Sequence, residues 1–206
     1  MKYIILSALW ILFCIIHSGM ITLTFTGFIK QRAGKYYRFY RLFYNIVSII
    51  ILVPIVIYSY SIKEEPFFIW EGYLLPVKWF LFALGILLFY LGSRHYSLSS
   101  FLGIAQIKET SNHKLMNETG KLDSSGVLGV IRHPYYSGVL PLLWSSDLDI
   151  TALITNVILS IYIIIGTLLE EHKLVHEYGD EYIRYQYKVS MLFPFKWIKN
   201  KLGTIN

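Results

Sequence analysis

The stretch Ile150–Glu171 reads ITALITNVILSIYIIIGTLLEE, and its first twenty residues, through Leu169, contain no Asp, Glu, Lys or Arg. A helix of about 20 apolar residues matches the hydrocarbon thickness of a bilayer. The block is too long and too evenly apolar for the core helix of a small soluble domain. It ends abruptly in two adjacent acids, Glu170 and Glu171. Acids at such a depth are costly unless they are paired or functional.

Working outward, three further blocks reach spanning length: Tyr3 to about Phe28, Leu42 to about Ile62, and Leu75 to about Gly92. A shorter apolar run, Tyr135–Trp144, contains Pro141 and is too short to span alone. It reads with Ile150–Leu169 as a helical hairpin turning at residues 145–149, where Asp147 or Asp149 can cap the second helix. The fold expected is an all-α integral membrane protein with about five transmembrane helices, the last two forming a helical hairpin, followed by a cytoplasmic C-terminal helical segment. One membrane domain over 1–206 suffices. Three N-terminal transmembrane helices occupy 1–96, and a loop, the hairpin and the C-terminal segment occupy 97–206.

Composition agrees. The chain is 55% hydrophobic and 16% charged, against about 45–50% and about 25% in soluble domains. The net charge of +6 comes from basic residues flanking apolar blocks. They form no stripe of their own, so no nucleic-acid partner is expected and the partner is the lipid bilayer. Residues 30–41 carry five Lys/Arg and no acid, 94–132 carry five, and the tail after Leu169 carries six. Residues 63–78 carry two Lys and three Glu, and the hairpin turn has two Asp and no base. The positive-inside rule then places the N-terminus outside and residues 30–41, 94–132 and the tail in the cytoplasm. The first block reads as a retained span, since it far exceeds a signal-peptide core. Cys14 is the only cysteine, which excludes an internal disulfide and suggests a small packing residue.

Residues 108–125 form the most polar stretch and the expected flexible segment. Residues 170–189 read as an amphipathic helix leaving the membrane, interrupted near Gly179. No G-x-G-x-x-G after a strand, P-loop or G-x-S-x-G elbow is present, so dinucleotide, P-loop and serine-hydrolase chemistry lack support. No βαβ pattern exists for a soluble methyltransferase fold.

Two segments concentrate polar and aromatic groups. In Gly126–Gly138, Pro134 suits the first turn of a helix, and the residue before it, His133, is biased to extended backbone. Arg132 and His133 thus sit at a loop-to-helix junction. There they act either as a basic anchor at the membrane boundary or as a grip on a carboxylate, helped by the helix start. The second segment, Glu170–Tyr185, is either a solvated face just outside the bilayer or the other wall of a site. His172 and His176, four apart, share a helix face and can bind zinc, but a third ligand is not evident, and no metal is expected. His17 lies within the first block, where an intramembrane His is either functional or satisfied by a neighbouring helix.

Arg132-His133-Pro134-x-Tyr136 and Glu170-Glu171-x-x-Leu174, followed by Tyr178-Gly179-Asp180-Glu181-Tyr182-x-x-Tyr185 and Leu192-Phe193-Pro194, resemble the isoprenylcysteine carboxyl methyltransferase and phospholipid methyltransferase superfamily of membrane enzymes. The resemblance is clearest over 101–194. The N-terminal half is similar to the branch of methanethiol S-methyltransferases and denitrification-associated NnrU proteins, through His17-Ser18, Tyr40-Arg41-Leu42-x-Tyr44-Asn45 and Phe101-Leu102-Gly103-x-x-Gln106. A departure is the long polar stretch before Gly126, containing Gly120-Lys121-Leu122-Asp123.

The resemblance implies a cytoplasmic pocket for S-adenosyl-L-methionine, lined by Gly126, Arg132, His133, Pro134 and Tyr136 on one side and Glu171, Tyr182 and Tyr185 on the other. Arg132, Glu170 and Glu171 are the catalytic candidates. His17, Tyr40 and Gln106 are the candidates for contacting the methyl acceptor, a small molecule or a lipophilic one. A thiol is favoured over an isoprenylcysteine carboxyl or a lipid amine. Two other classes remain open at this stage. One is a non-catalytic membrane accessory protein of the denitrification-associated type. The other is a metal- or haem-binding membrane protein using His17, His95, His172 or His176.

Overall fold

A computed structural model describes residues 1–95, 98–108 and 122–203. The described chain is helical, with two isolated β-bridges. Residues 109–121 of the expected flexible stretch lie outside the described residues. In chain order the helices are α1 (Lys2–Met20), α2 (Leu23–Ala33), α3 (Tyr40–Ser61), α4 (Leu75–Ser93), α5 (Leu98–Leu102), α6 (Ile104–Lys108), α7 (Pro134–Trp144), α8 (Ile150–Tyr178), α9 (Asp180–Lys188) and α10 (Phe195–Gly203).

Four candidates are long and apolar enough to cross a membrane: Lys2–Met20, Leu23–Ser61, Gly72–Ser93 and Ile150–Tyr178. One boundary differs from the sequence expectation. The first block stops at Met20 instead of continuing to Phe28, because Thr22 Oγ1 accepts from the Phe25 amide at 3.3 Å and starts a new helix. The expected fourth span is the 11-residue α7. Eleven residues rise about 16 Å, roughly half of a bilayer core. Among the described residues, four helices are long and apolar enough to span, and α7 is shorter than a span needs.

The chain divides into two compact units, one of residues 1–69, 97–116 and 147–162, the other of residues 70–96, 117–146 and 163–206. In the first, Leu6, Trp10, Phe13 and Cys14 lie on one face of α1, at the i, i+4, i+7, i+8 spacing of a helical stripe. They are buried against Ile55 of α3 and neighbours including Ile154 and Ile158 of α8. Cys14 is a packing residue, as its position implied. At one end of this unit Lys2 pairs with Glu64, the Glu64 amide donates to Asp149 Oδ2 at 2.9 Å, and Leu148 pairs through its backbone with Phe68. Asp149 caps α8, its Oδ1 accepting from the Ala152 amide at 2.7 Å. The start of α1, the loop after α3 and the turn before α8 thus share one end. At the other end the Tyr40 hydroxyl donates to the Met20 carbonyl at 2.5 Å, and Asn45 donates to the Leu102 carbonyl at 3.1 Å.

In the second unit α4 and α7 pack antiparallel through glycines. A Cβ on Gly85 would lie 2.4 Å from Leu142 Cγ and 2.8 Å from the Gly138 carbonyl oxygen. One on Gly138 would lie 3.0 Å from the Gly85 oxygen. Such small-residue contacts let helix backbones approach where lipid offers no hydrophobic driving force. Gly92 lies against Pro134 and Tyr135, which fixes the start of α7 beside the end of α4. Beyond the apolar part of α8, Gly179 takes φ +58, the left-handed region that ends α8 and lets α9 turn away.

Candidate functional site

The second unit gathers the two polar segments. Arg132 and His133 precede α7. His133 has φ −123 and ψ 69, outside the helical region, as the following proline demands. The backbone here is held by the tail: the Arg132 amide donates to the Ser190 carbonyl at 2.9 Å and the His133 amide to the Met191 carbonyl at 3.2 Å. Ser137 Oγ donates to the Leu192 carbonyl at 2.7 Å. The segment after α9 is therefore stitched to the start of α7.

At the centre is Glu171, whose side chain is 8% exposed. Its Oε1 accepts from Arg132 Nε at 2.8 Å and the Tyr182 hydroxyl at 2.7 Å, and lies 2.7 Å from His133 Nε2. Its Oε2 accepts from Arg132 Nη2 at 2.5 Å and Gln186 Nε2 at 2.6 Å. Five donors on one carboxylate occupy its lone pairs, and the fork-on-carboxylate geometry with Arg132 is the strong form of such a pair. The remaining Arg132 nitrogen, Nη1, donates to the carbonyls of Gln186 and Val189. The guanidinium is thus spent on holding α9 and its exit to α8.

Glu170, one residue earlier, has a different environment. Its side chain is 19% exposed, and its nearest charged partner is His133 Nδ1 at 3.9 Å. That distance is too long for a hydrogen bond. Among the described residues no group donates a hydrogen bond to its carboxylate. His133 stacks on Tyr136, ring centroids 5.8 Å apart at 28°, which fixes an aromatic face beside the carboxylates. The Tyr185 hydroxyl donates to the Leu128 carbonyl at 2.5 Å, tying α9 to the turn Gly126–Gly129. Burial, joined for Tyr182 by the bond to Glu171, pushes both phenols well above the ordinary 10.

Of the sequence candidates, this unit brings together Arg132, His133, Pro134, Tyr136, Glu170, Glu171, Tyr182 and Tyr185, with Gly126 two residues from the Leu128 carbonyl. Gln186 and the carbonyls of Gln186 and Val189 were missed. Gln186 lies four residues after Tyr182, on the same helix face, and that spacing was the available signal. His17, Tyr40 and Gln106 belong to the first unit. There His17 lies 2.6 Å from the Tyr44 hydroxyl through Nε2 and 3.0 Å from Ser48 Oγ through Nδ1. Gln106 Nε2 donates to the Ser100 carbonyl at 3.0 Å, and its buried Oε1 has no hydrogen-bond partner among the described residues. His172 and His176 are exposed on α8, and among the described residues no group of three or more His, Cys, Asp or Glu is placed to hold a metal ion.

The donor set fits S-adenosylmethionine in kind. An aromatic face suits a sulfonium, and an open carboxylate suits ammonium or ribose hydroxyl donors.

The chain is similar to several known proteins. Methanethiol S-methyltransferase of Pseudomonas deceptionensis is 41% identical over 66 residues, covering 32% of this chain and 25% of that protein. Methanethiol S-methyltransferase 1 of Bradyrhizobium diazoefficiens is 37% identical over 67 residues, covering 32% and 24%. Methanethiol S-methyltransferase of Pseudomonas sp. (strain GM41(2012)) is 35% identical over 117 residues, covering 53% and 45%. The matches span less than half the length of these relatives. No solved structure matches the chain. The family described as NnrU protein matches residues 5–176, most of the sequence, and the chain belongs to the NnrU family.

Proposed function

We propose that this chain is a membrane methyltransferase that transfers a methyl group from S-adenosylmethionine to a small thiol, at a site built on the second unit. The observation that carries the reading is the pair of adjacent carboxylates. Glu171 is saturated by five donors, while Glu170 is left open beside an aromatic face. The name shared by the relatives, methanethiol S-methyltransferase, supports a thiol acceptor over an isoprenylcysteine carboxyl or a lipid amine.

S-adenosylmethionine supplies an electrophilic methyl on a sulfonium, so the protein's work is placement. Tyr136, fixed by His133, offers its face to the cation. Glu170 accepts from the donor's ammonium or ribose hydroxyls. Arg132 and Glu171 position: they lock α8, the start of α7 and the tail into one wall. A dry site strengthens these electrostatic contacts. Charge placement puts residues 30–41, 94–132 and the tail in the cytoplasm and the N-terminus outside. The polar donor then arrives from the cytosol, and a lipophilic acceptor from the bilayer.

The test is methyl transfer from methyl-labelled S-adenosylmethionine to methanethiol by the purified protein in lipid vesicles, read as labelled dimethyl sulfide in the headspace. Labelled product above a protein-free control supports the proposal. Donor binding without transfer to any thiol, prenylcysteine or lipid amine contradicts it.

A further inference from the structure

A second acid–base pair stands in the same unit. His95, just after α4, has Nδ1 2.7 Å from Asp123 Oδ2. Asp123 Oδ1 accepts from the Ser125 amide at 2.9 Å and the Ser125 hydroxyl at 2.8 Å. The carboxylate is therefore fixed, and it fixes the imidazole. In the neutral ring, an Nδ1–H donated to Asp123 leaves Nε2 as the nitrogen with the free lone pair, the tautomer a general base requires. Among the described residues nothing bonds to Nε2. Beside it stands Gly126, with φ +53, where a Cβ would lie 2.9 Å from Nε2. A side chain at this position would crowd that nitrogen, and the glycine supplies none. Gly126 begins the turn whose Leu128 carbonyl is held by Tyr185, so the pair adjoins the wall that carries Glu171.

Methyl transfer to a thiol needs the thiolate, and a simple alkanethiol, less acidic than a cysteine side chain at about 8.5, is almost wholly protonated at pH 7. Glu171 cannot supply the base, because its five partners leave no lone pair to take a proton. Tyr182 and Tyr185 keep their protons. Glu170 serves the donor in the proposed site. We infer that His95, oriented by Asp123, is the general base that deprotonates the thiol acceptor, an assignment resting on the methyltransferase reading. Nε2 takes the S–H proton. The sulfur lone pair forms the new bond to the methyl carbon as the methyl–sulfonium bond breaks, its electron pair staying on the sulfonium sulfur. His95 then passes its proton to water. The charged or titratable groups around His95 among the described residues are Asp123, the adjacent Arg94, and Tyr185, which lies within electrostatic reach of Asp123. Burial works against the Asp123 charge, but the bonds from Ser125 and His95 outweigh it and hold the carboxyl below its ordinary 3.8, so it stays ionised throughout the working range.

The experiment compares wild type, His95→Gln and Asp123→Asn in vesicles. It reads methanethiol methylation from pH 6 to 9.5, S-adenosylmethionine affinity by calorimetry, and the His95 tautomer by ¹⁵N NMR without donor. The expected result is donor affinity within about 2-fold of wild type and turnover down by about 10²–10⁴-fold at pH 7 in His95→Gln. The deficit should shrink steadily from pH 6 to 9.5 as more of the acceptor ionises in solution, and the neutral wild-type ring should carry its proton on Nδ1. An unchanged rate, a deficit constant across pH, a lost donor affinity, or a neutral ring with its proton on Nε2 overturns the assignment. A wild type that neither binds donor nor methylates a thiol overturns the methyltransferase reading itself, which separates the two failures.

Discussion

Consecutive residues on a helix point about 100° apart, so Glu170 and Glu171 cannot both face Arg132. Glu171 takes that place and becomes structural. Glu171→Ala would leave a buried guanidinium without its counter-charge, a loss of about 3–5 kcal/mol. A thermal melt in detergent should show a large drop, matched by Arg132→Ala. Glu170→Gln should leave the melt within about 0.5 kcal/mol, because no intramolecular hydrogen bond is lost. Alkaline pH offers a second check. The raised phenols of Tyr182 and Tyr185 contribute stability that is full below about pH 10, the unfolded value, and is lost as pH rises toward their folded values. Tyr185→Phe should cost about 1 kcal/mol at neutral pH through the lost bond to Leu128, and should flatten the fall in stability between pH 10 and 11. Arg132, the two glutamates and the tyrosines were legible because ionised and aromatic groups at a span boundary stand out. The carbonyls of Gln186 and Val189 were not, since any residue provides a backbone acceptor. The pairing of His95 with Asp123 was hidden by a separation of 28 residues across the polar stretch.

At the level of elements, α7 shows where reading by length succeeds and where it stops. Its apolar run was recognised as too short to span, and Pro134 marked its first turn. What sequence could not give is how it seats: Gly85 and Gly138 bring α4 and α7 into backbone contact, and Gly92 makes room for the Pro134 and Tyr135 side chains. Gly138→Val should destabilise the second unit by about 1–3 kcal/mol through overpacking against the Gly85 carbonyl and Phe89. Gly166, where an added Cβ would meet no neighbouring element within 4 Å among the described residues, should accept alanine without loss. Melts of the two variants in one detergent check the contrast. The boundary at Met20 was missed for a related reason. Hydropathy runs smoothly through Ile21–Phe28, and only the Thr22 cap breaks the helix.

For the whole molecule, the charge pattern and the packing agree on which segments share an end. The start of α1, the loop after α3 and the turn before α8 meet in the first unit, and the expectation from the positive-inside rule is that all three face outside. Single cysteines in a Cys14→Ser background test this sidedness. Glu65→Cys and Ser146→Cys should react with an impermeant maleimide added outside intact cells, and Lys35→Cys and Lys199→Cys only after lysis. The functional claim turns on the open carboxylate beside the saturated one. Its most direct test is calorimetric titration of S-adenosylmethionine into the wild type and Glu170→Gln in nanodiscs. Saturable binding to the wild type, weakened at least about 10-fold in a Glu170→Gln protein with an unchanged melt, is the predicted result. Equal affinity in both proteins, or none in a well-folded wild type, would contradict the account.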